Sequence, residues 1–102
     1  MLFIEAPAGV GFSYCDTSSE AERIECAQWT DRKYTAYNLA LLDKFYEQYP
    51  DMRAAPLWVA GESYAGIVAT LLSEAIVREN NSTTANRTLN LAGVLHGNGA
   101  VG

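Results

Sequence analysis

The sequence LWVAGESYAG, residues 57–66, decides how this chain folds. Its first four residues are an apolar run typical of a buried strand. The residues that follow it, IVATLLSEAIV, repeat apolar side chains at the three- and four-residue spacing of a helix. Ser63 lies in the short turn between the two. The stretch therefore predicts a strand-turn-helix unit with a serine on its turn.

A serine at this position is typical of a nucleophile elbow, in which a sharp turn raises the hydroxyl above the edge of a sheet. The residues two before and two after the serine must be small, because strand and helix approach closely there. Gly61 and Ala65 occupy these positions, so the pattern is GxSxA rather than GxSxG. The turn would also direct the backbone N–H of Tyr64 at a developing oxyanion. The alternative is an ordinary Gly-Ser turn without chemistry.

Outward from this turn, the sequence predicts alternating strands and helices. Thr30 or Asp31 can cap a first helix, and Pro50 stops it. The order β-α-β-α-β favours an α/β fold with three parallel strands and crossover helices. Such a sheet has two open edges, so we expect residues 1–102 to be a slice of a larger domain. The expected elements are strands at 2–7, 56–61 and 89–99, helices at about 28–49 and 64–80, and a long loop with a helical turn from residue 8.

Each predicted helix has one face that we expect to be buried, because its apolar residues recur at helical spacing. On the first helix this face is Tyr34, Tyr37, Leu41, Leu42, Phe45 and Tyr49. On the second helix it is Ile67, Leu71, Leu72, Ala75 and Ile76.

Composition narrows the classes of partner. Of the 102 residues, 49% are hydrophobic, which is typical of a globular chain and argues against disorder throughout. The net charge of −5 argues against a nucleic-acid partner, which requires clustered Lys and Arg. The apolar runs are too short to span a membrane, and residues 1–9 lack the basic segment of a signal peptide. We expect no membrane partner, and the sequence does not determine the oligomeric state.

Two cysteines and three glycosylation sequons point to one compartment. Cys15 and Cys26 do not have a CxxC spacing, and His96 alone adds too few ligands for a metal site. Both a disulfide and two free thiols remain open. The sequons at Asn80, Asn81 and Asn86 favour the secretory pathway, where disulfides persist. The first two overlap, so we expect at most two to be occupied together.

Two further patterns, a single histidine and a glycine-rich motif, are weaker evidence for function. A nucleophilic serine needs a base and an orienting carboxylate, but His96, the single histidine, falls inside the third predicted strand. We interpret it as a packed strand residue rather than a base. GNGAVG, residues 97–102, matches the GxGxxG of dinucleotide sites, yet no helix and later acidic residue follow it in the sequence. We therefore expect no cofactor.

Five segments together resemble the serine carboxypeptidase family of α/β-hydrolases: FIEAPAGVGFSY, DRKYTA, FYEQYP, LWVAGESYAG and LNLAGVLHGNG. The resemblance covers nearly the whole chain in order and spacing. It implies that residues 1–102 are a partial catalytic domain that lacks its N- and C-terminal parts.

The resemblance also implies roles for three adjacent residues. Ser63 would be the nucleophile that forms an acyl-enzyme with a peptide. The backbone N–H of Tyr64 would give half of the oxyanion hole, and its ring would face the substrate. Glu62 would help to bind the terminal carboxylate of the substrate. The implied partners are peptides or proteins with a free C-terminus.

We therefore expect a serine-type carboxypeptidase of the secretory pathway, in a vacuole or lysosome or outside the cell. The triad Asp and His of the family fall outside residues 1–102, so we expect the fragment alone to be inactive. The alternatives are another α/β-hydrolase, such as a lipase, thioesterase or acyltransferase, and a non-catalytic glycoprotein or binding module on the same fold. The sequence does not determine the preferred terminal residue or the pH optimum.

Overall fold

The computed structural model describes residues 1–82 and 88–100. These residues fall into two compact units, Met1–Tyr34 and Thr35–Gly102. The sequon asparagine Asn86 and the last two residues of GNGAVG lie outside the described residues.

The first unit contains helix α1, Glu20–Ala27, and the start of helix α2, Asp31–Gln48. The side chain of Ser19 caps α1 by accepting the N–H of Glu22, and Thr30 caps α2 in the same way by accepting the N–H of Lys33 at 3.2 Å. Of the two residues that the sequence offers as N-cap of the longer helix, the structure uses Thr30. A disulfide joins Cys15 to Cys26 across a Cα–Cα distance of 6.5 Å, which ties α1 to the loop that precedes it.

The predicted strand at residues 2–7 is wrong, because the structure has no strand there. A strand is held by backbone hydrogen bonds to a neighbouring strand, whereas carbonyl groups of this segment bond to side chains. The hydroxyl of Ser13 donates to the carbonyl of Glu5, and the hydroxyl of Tyr34 donates to the carbonyl of Ala6 at 2.9 Å. The indole N–H of Trp29 donates to the carbonyl of Ala8 at 3.0 Å. The apolar run therefore forms an extended segment fixed by side chains.

The second unit contains a parallel pair of strands joined by a helix. Strand β1, Leu57–Glu62, pairs with strand β2, Leu91–Gly97, and helix α3, Ala65–Asn80, connects them. A 3₁₀ turn at Pro50–Ala54 follows α2. The predicted β-α-β order at residues 56–99 is confirmed, but the described sheet has two strands instead of three.

The core of this unit lies between α2, α3 and the segment before β2. It consists of Leu42, Tyr46, Leu72, Ile76 and Leu89, with Ile76 fully buried. Leu57, Val59 and Leu91 of the two strands are packed against this cluster. Helix α3 thus covers the face of the sheet that carries Leu57, Val59 and Leu91.

The predicted buried faces are correct only in part. In α2 the buried positions are 38, 42 and 46, one turn apart, while Tyr37, Leu41 and Tyr49 are exposed. The buried face includes the polar Asn38, which hides it from a search for apolar periodicity. In α3 Leu72 and Ile76 are buried as predicted, but Ile67, Leu71 and Ala75 are only half-buried. The apolar residues of α3 lie on most sides of the helix, so their spacing alone does not show which face is buried.

Within residues 1–82 and 88–100, no helix combines the length and apolarity needed to cross a membrane. The same residues contain no group of three or more His, Cys, Asp or Glu side chains arranged to hold a metal ion.

Candidate active-site elbow

Ser63 follows directly on the last residue of β1 and has a left-handed backbone, with φ of 55°. This conformation costs a residue other than glycine about 1–2 kcal/mol, and surrounding contacts must therefore hold it. The N–H of Ser63 donates to the carbonyl of Gly97 at 3.1 Å. The carbonyl of Ser63 accepts N–H groups from Gly66 and Ala100, both at 2.9 Å. Three backbone hydrogen bonds thus fix the turn on both sides of the serine.

Gly61 shows why the turn needs a small residue before the serine. A Cβ atom built on Gly61 would lie 2.1 Å from the carbonyl oxygen of Ala65 and 2.5 Å from its carbonyl carbon. Both atoms belong to the backbone at the start of α3, so no side-chain rotation can relieve the contact. The close approach of strand and helix that the GxSxA pattern predicts is therefore present at this position.

The residues on either side of the serine place two more groups at the same end of β1. Glu62 is exposed, and because side chains alternate along a strand it projects to the face opposite that of Gly61. Tyr64 has helical backbone angles, and its side chain is 59% exposed. The carbonyl of Tyr64 accepts the N–H of Ile67 at 3.1 Å, so α3 starts immediately after the serine. A carboxyl, a hydroxyl and the positive end of a helix therefore meet at one edge of the sheet.

His96 lies in β2, in register with Gly61, as the sequence predicts for a strand residue. Its Nδ1 atom lies close to two glycines. A Cβ atom at Gly66 would be 3.1 Å from Nδ1, and one at Gly99 would be 2.9 Å away. Among the described residues, His96 makes no hydrogen bond to Ser63. The side chain is nevertheless exposed, so the interpretation of His96 as a strand residue is correct but its expected packing is not, and Nδ1 lies beside the start of α3 and the turn after β2.

Sequence reasoning missed how the end of β2 supports the elbow. Asn98 has a left-handed backbone, with φ of 48°, so that each of the two parallel strands is followed by a left-handed residue that is not glycine. The turn at Asn98 brings the N–H of Ala100 to the carbonyl of Ser63. Gly99 of the GNG sequence was the available signal for this support, because a side chain there would meet His96. Gly66 in α3 leaves room for His96 in the same way.

Comparison with known proteins assigns the family. The model of the serine carboxypeptidase family matches residues 1–102. The chain belongs to the serine carboxypeptidase family.

Curated relatives from a plant and a fungus are carboxypeptidases or carboxypeptidase-like proteins by name. The chain is 35% identical to serine carboxypeptidase-like 35 of Arabidopsis thaliana over 101 residues, which are 99% of the chain and 20% of the relative. It is 38% identical to serine carboxypeptidase-like 29 of the same plant over 99 residues, 97% of the chain and 19% of the relative. It is 35% identical to pheromone-processing carboxypeptidase KEX1 of Metarhizium robertsii, over 97% of the chain and 15% of the relative. The chain thus spans about a fifth or less of these proteins.

A solved structure shares the fold. The chain superposes on a prohormone-processing carboxypeptidase, Kex1(Δ)p of Saccharomyces cerevisiae, with a TM-score of 0.82 at 24% identity. The superposition covers 97% of this chain and 21% of the yeast chain. The local α/β architecture described above is therefore also found in part of this prohormone-processing carboxypeptidase.

Proposed function

We propose that Ser63 is the nucleophile of a serine-type carboxypeptidase, which removes C-terminal residues from peptides through an acyl-enzyme. The observation that supports this most is the left-handed backbone of Ser63, held by three hydrogen bonds and by a contact that only glycine allows at position 61. Strain of this kind persists at functional sites because a fixed hydroxyl is worth its cost there. Asn98 is also left-handed, so the backbone angle supports the proposal only together with the position of Ser63 between β1 and α3.

In the proposed reaction, the hydroxyl oxygen of Ser63 attacks the carbonyl carbon of the last peptide bond. A base removes the hydroxyl proton, the C–N bond breaks, and the terminal amino acid leaves with that proton on its amine. Water then hydrolyses the ester on Ser63. The backbone N–H of Tyr64, at the start of α3, is the proposed donor to the oxyanion of each tetrahedral intermediate.

Glu62 is the proposed contact for the terminal carboxylate of the substrate. A carboxyl group can donate a hydrogen bond to a carboxylate only while it keeps its own proton. The exposed ring of Tyr64, next to Ser63, is the proposed apolar contact for the substrate side chain.

We further propose that residues 1–102 are part of a longer catalytic domain with an α/β-hydrolase fold, of which they form a slice. The relatives are about five times as long as the matched segment, which supports this division. His96 is exposed in β2 and makes no described hydrogen bond to Ser63, so the base would come from another segment. The chain on its own is accordingly proposed to be inactive.

The proposed substrates are peptides or proteins with a free C-terminus, and the proposed location is the secretory pathway, a vacuole or lysosome, or the outside of the cell. The disulfide between Cys15 and Cys26 supports this location, since disulfides are rare in reducing compartments. The sequons at Asn80, Asn81 and Asn86 support it independently.

The test is to label the full-length protein with a fluorophosphonate probe and to map the modified residue. We expect the label on Ser63, loss of labelling in S63A and unchanged labelling in S73A, because Ser73 is buried in α3. A label on any other residue would contradict the assignment.

A second measurement separates a carboxypeptidase from a lipase or thioesterase. A blocked dipeptide with a free C-terminal carboxylate should be cleaved faster than the same dipeptide with a C-terminal amide, and the difference should shrink in E62A, which removes the carboxyl group. E62Q should keep most of the difference, because its amide N–H can still donate to the substrate carboxylate. A protein that cleaves only simple acyl esters would contradict the carboxypeptidase proposal but keep the nucleophile.

A further inference from the structure

Two overlapping sequons, at Asn80 and Asn81, lie where α3 ends. Both asparagines match the N-x-S/T pattern, with Ser82 completing the sequon of Asn80 and Thr83 completing that of Asn81. The two side chains, however, have different surroundings. Asn80 is the last residue of α3 and is partly buried, whereas Asn81 follows the helix and is exposed.

The side-chain amide of Asn80 is engaged on both of its polar atoms. Its Nδ2 donates to the carbonyl of Leu89 at 2.8 Å, and its Oδ1 accepts the N–H of Leu89 at 2.9 Å. Leu89 is only 3% exposed and belongs to the core cluster with Leu72 and Ile76. The amide thus joins the last residue of α3 to the segment before β2 and holds Leu89 in the core.

Amide geometry shows what a glycan on Asn80 would do. Since Oδ1 and Nδ2 both bond to the backbone of Leu89, the N–H that donates is the one on the Oδ1 side of the amide. An N-linked sugar turns the side chain into a secondary amide, for which the trans form is strongly favoured. In that form the sugar carbon lies on the Oδ1 side. It would replace the hydrogen that the contact with Leu89 uses.

We propose that Asn81 is the glycosylated residue of the overlapping pair and that Asn80 remains unmodified as the residue that anchors Leu89. In the reaction, Nδ2 of Asn81 attacks the anomeric carbon of a polyprenyl-diphosphate-linked oligosaccharide. A C–N bond forms, the carbon–oxygen bond to the diphosphate breaks, and the polyprenyl diphosphate leaves with the electron pair. The amide nitrogen loses one proton, and no group is oxidised or reduced.

Asn81 fits this role, because it ends the helix through its backbone and leaves its side chain available for modification. Its N–H donates to the carbonyl groups of Val77 and Glu79 and so ends the helix. Among the described residues, no hydrogen bond uses the side chain of Asn81. A glycan at this position would extend into solvent and leave the Asn80–Leu89 contact intact.

The inference rests on the proposed secretory route, so the experiment supplies that route. The full-length protein is secreted from eukaryotic cells behind a cleavable signal peptide, and glycan-bearing asparagines are mapped by mass spectrometry after enzymatic deglycosylation in ¹⁸O water. S82A removes the Asn80 sequon and keeps that of Asn81. S82T combined with T83A does the reverse and gives the Asn80 sequon a threonine. Both asparagines stay in place in every variant.

We expect the glycan on Asn81 in the unchanged protein and in S82A, and no glycan on Asn80 in the folded, secreted S82T/T83A variant. A bare Asn81 in the unchanged protein, or a folded and secreted variant with a glycan on Asn80, would overturn the inference. Because the signal peptide is added, neither result depends on where the natural protein is located.

Discussion

Replacing Gly61 by alanine tests whether the close approach of β1 and α3 creates the elbow. The added carbon would lie 2.1 Å from the carbonyl oxygen of Ala65, a backbone atom that no side-chain rotation can move away. To restore an ordinary contact, the strand or the start of the helix must move by about 1 Å. Overpacking of this kind costs about 1–3 kcal/mol of the free energy of unfolding. A displacement of about 1 Å at a catalytic group lowers the rate by about 10²-fold.

The assay compares G61A with G97A in the full-length protein. Gly97 pairs with Glu62 across the sheet, but a Cβ atom there would meet nothing closer than 3.4 Å. Urea unfolding gives the loss of stability, and the rate of fluorophosphonate labelling gives the loss of reactivity at Ser63. We expect G61A to lose both and G97A to stay within about 0.5 kcal/mol of the parent.

Two outcomes would contradict different parts of this reasoning. If G61A unfolds and labels like G97A, the steric account of the elbow is wrong. If G61A is destabilised but labels at the parental rate, the glycine is needed for packing only and the fixed serine backbone does not govern reactivity.

Three further predictions concern the scaffold. Replacing Ile76, which is fully buried, by alanine should cost about 2–5 kcal/mol in urea unfolding, while V77A on the exposed side of the same helix should cost less than about 1 kcal/mol; equal losses would contradict the described core. The hydroxyl of Ser73 is buried and makes no hydrogen bond among the described residues, so S73A should stabilise the protein by about 1 kcal/mol, and a clear loss of stability would reveal a partner for the hydroxyl. The double variant C15S/C26S removes the disulfide, which closes a loop with a sequence separation of 11. It should lower the free energy of unfolding by about 3 kcal/mol at most, measured against the oxidised parent. No difference would mean that the bond does not form in the native protein.

Local signals predicted the unit around Ser63 well. An apolar run, a GxSxA turn and a helical repeat lie next to one another in the chain, so their interactions are short-range and can be seen in the sequence. The capping threonine at position 30 and the stop at Pro50 are local in the same sense. The predicted first strand is wrong because its carbonyl groups bond to polar side chains outside the apolar run. Ser13 and Tyr34 bind carbonyl groups of residues 5 and 6, which an apolar pattern does not reveal.

By itself, the sequence determined the family, the order of the elements around the serine and the identity of the residue on the turn. Only the tertiary structure decided that Ser63 is held left-handed from both sides, and that Asn80 rather than Asn81 anchors the core. The reason is physical. Periodicity and turn chemistry act between neighbours in the chain, whereas the hydrogen bonds from Ala100 to Ser63 and between Asn80 and Leu89 join residues that only folding brings together.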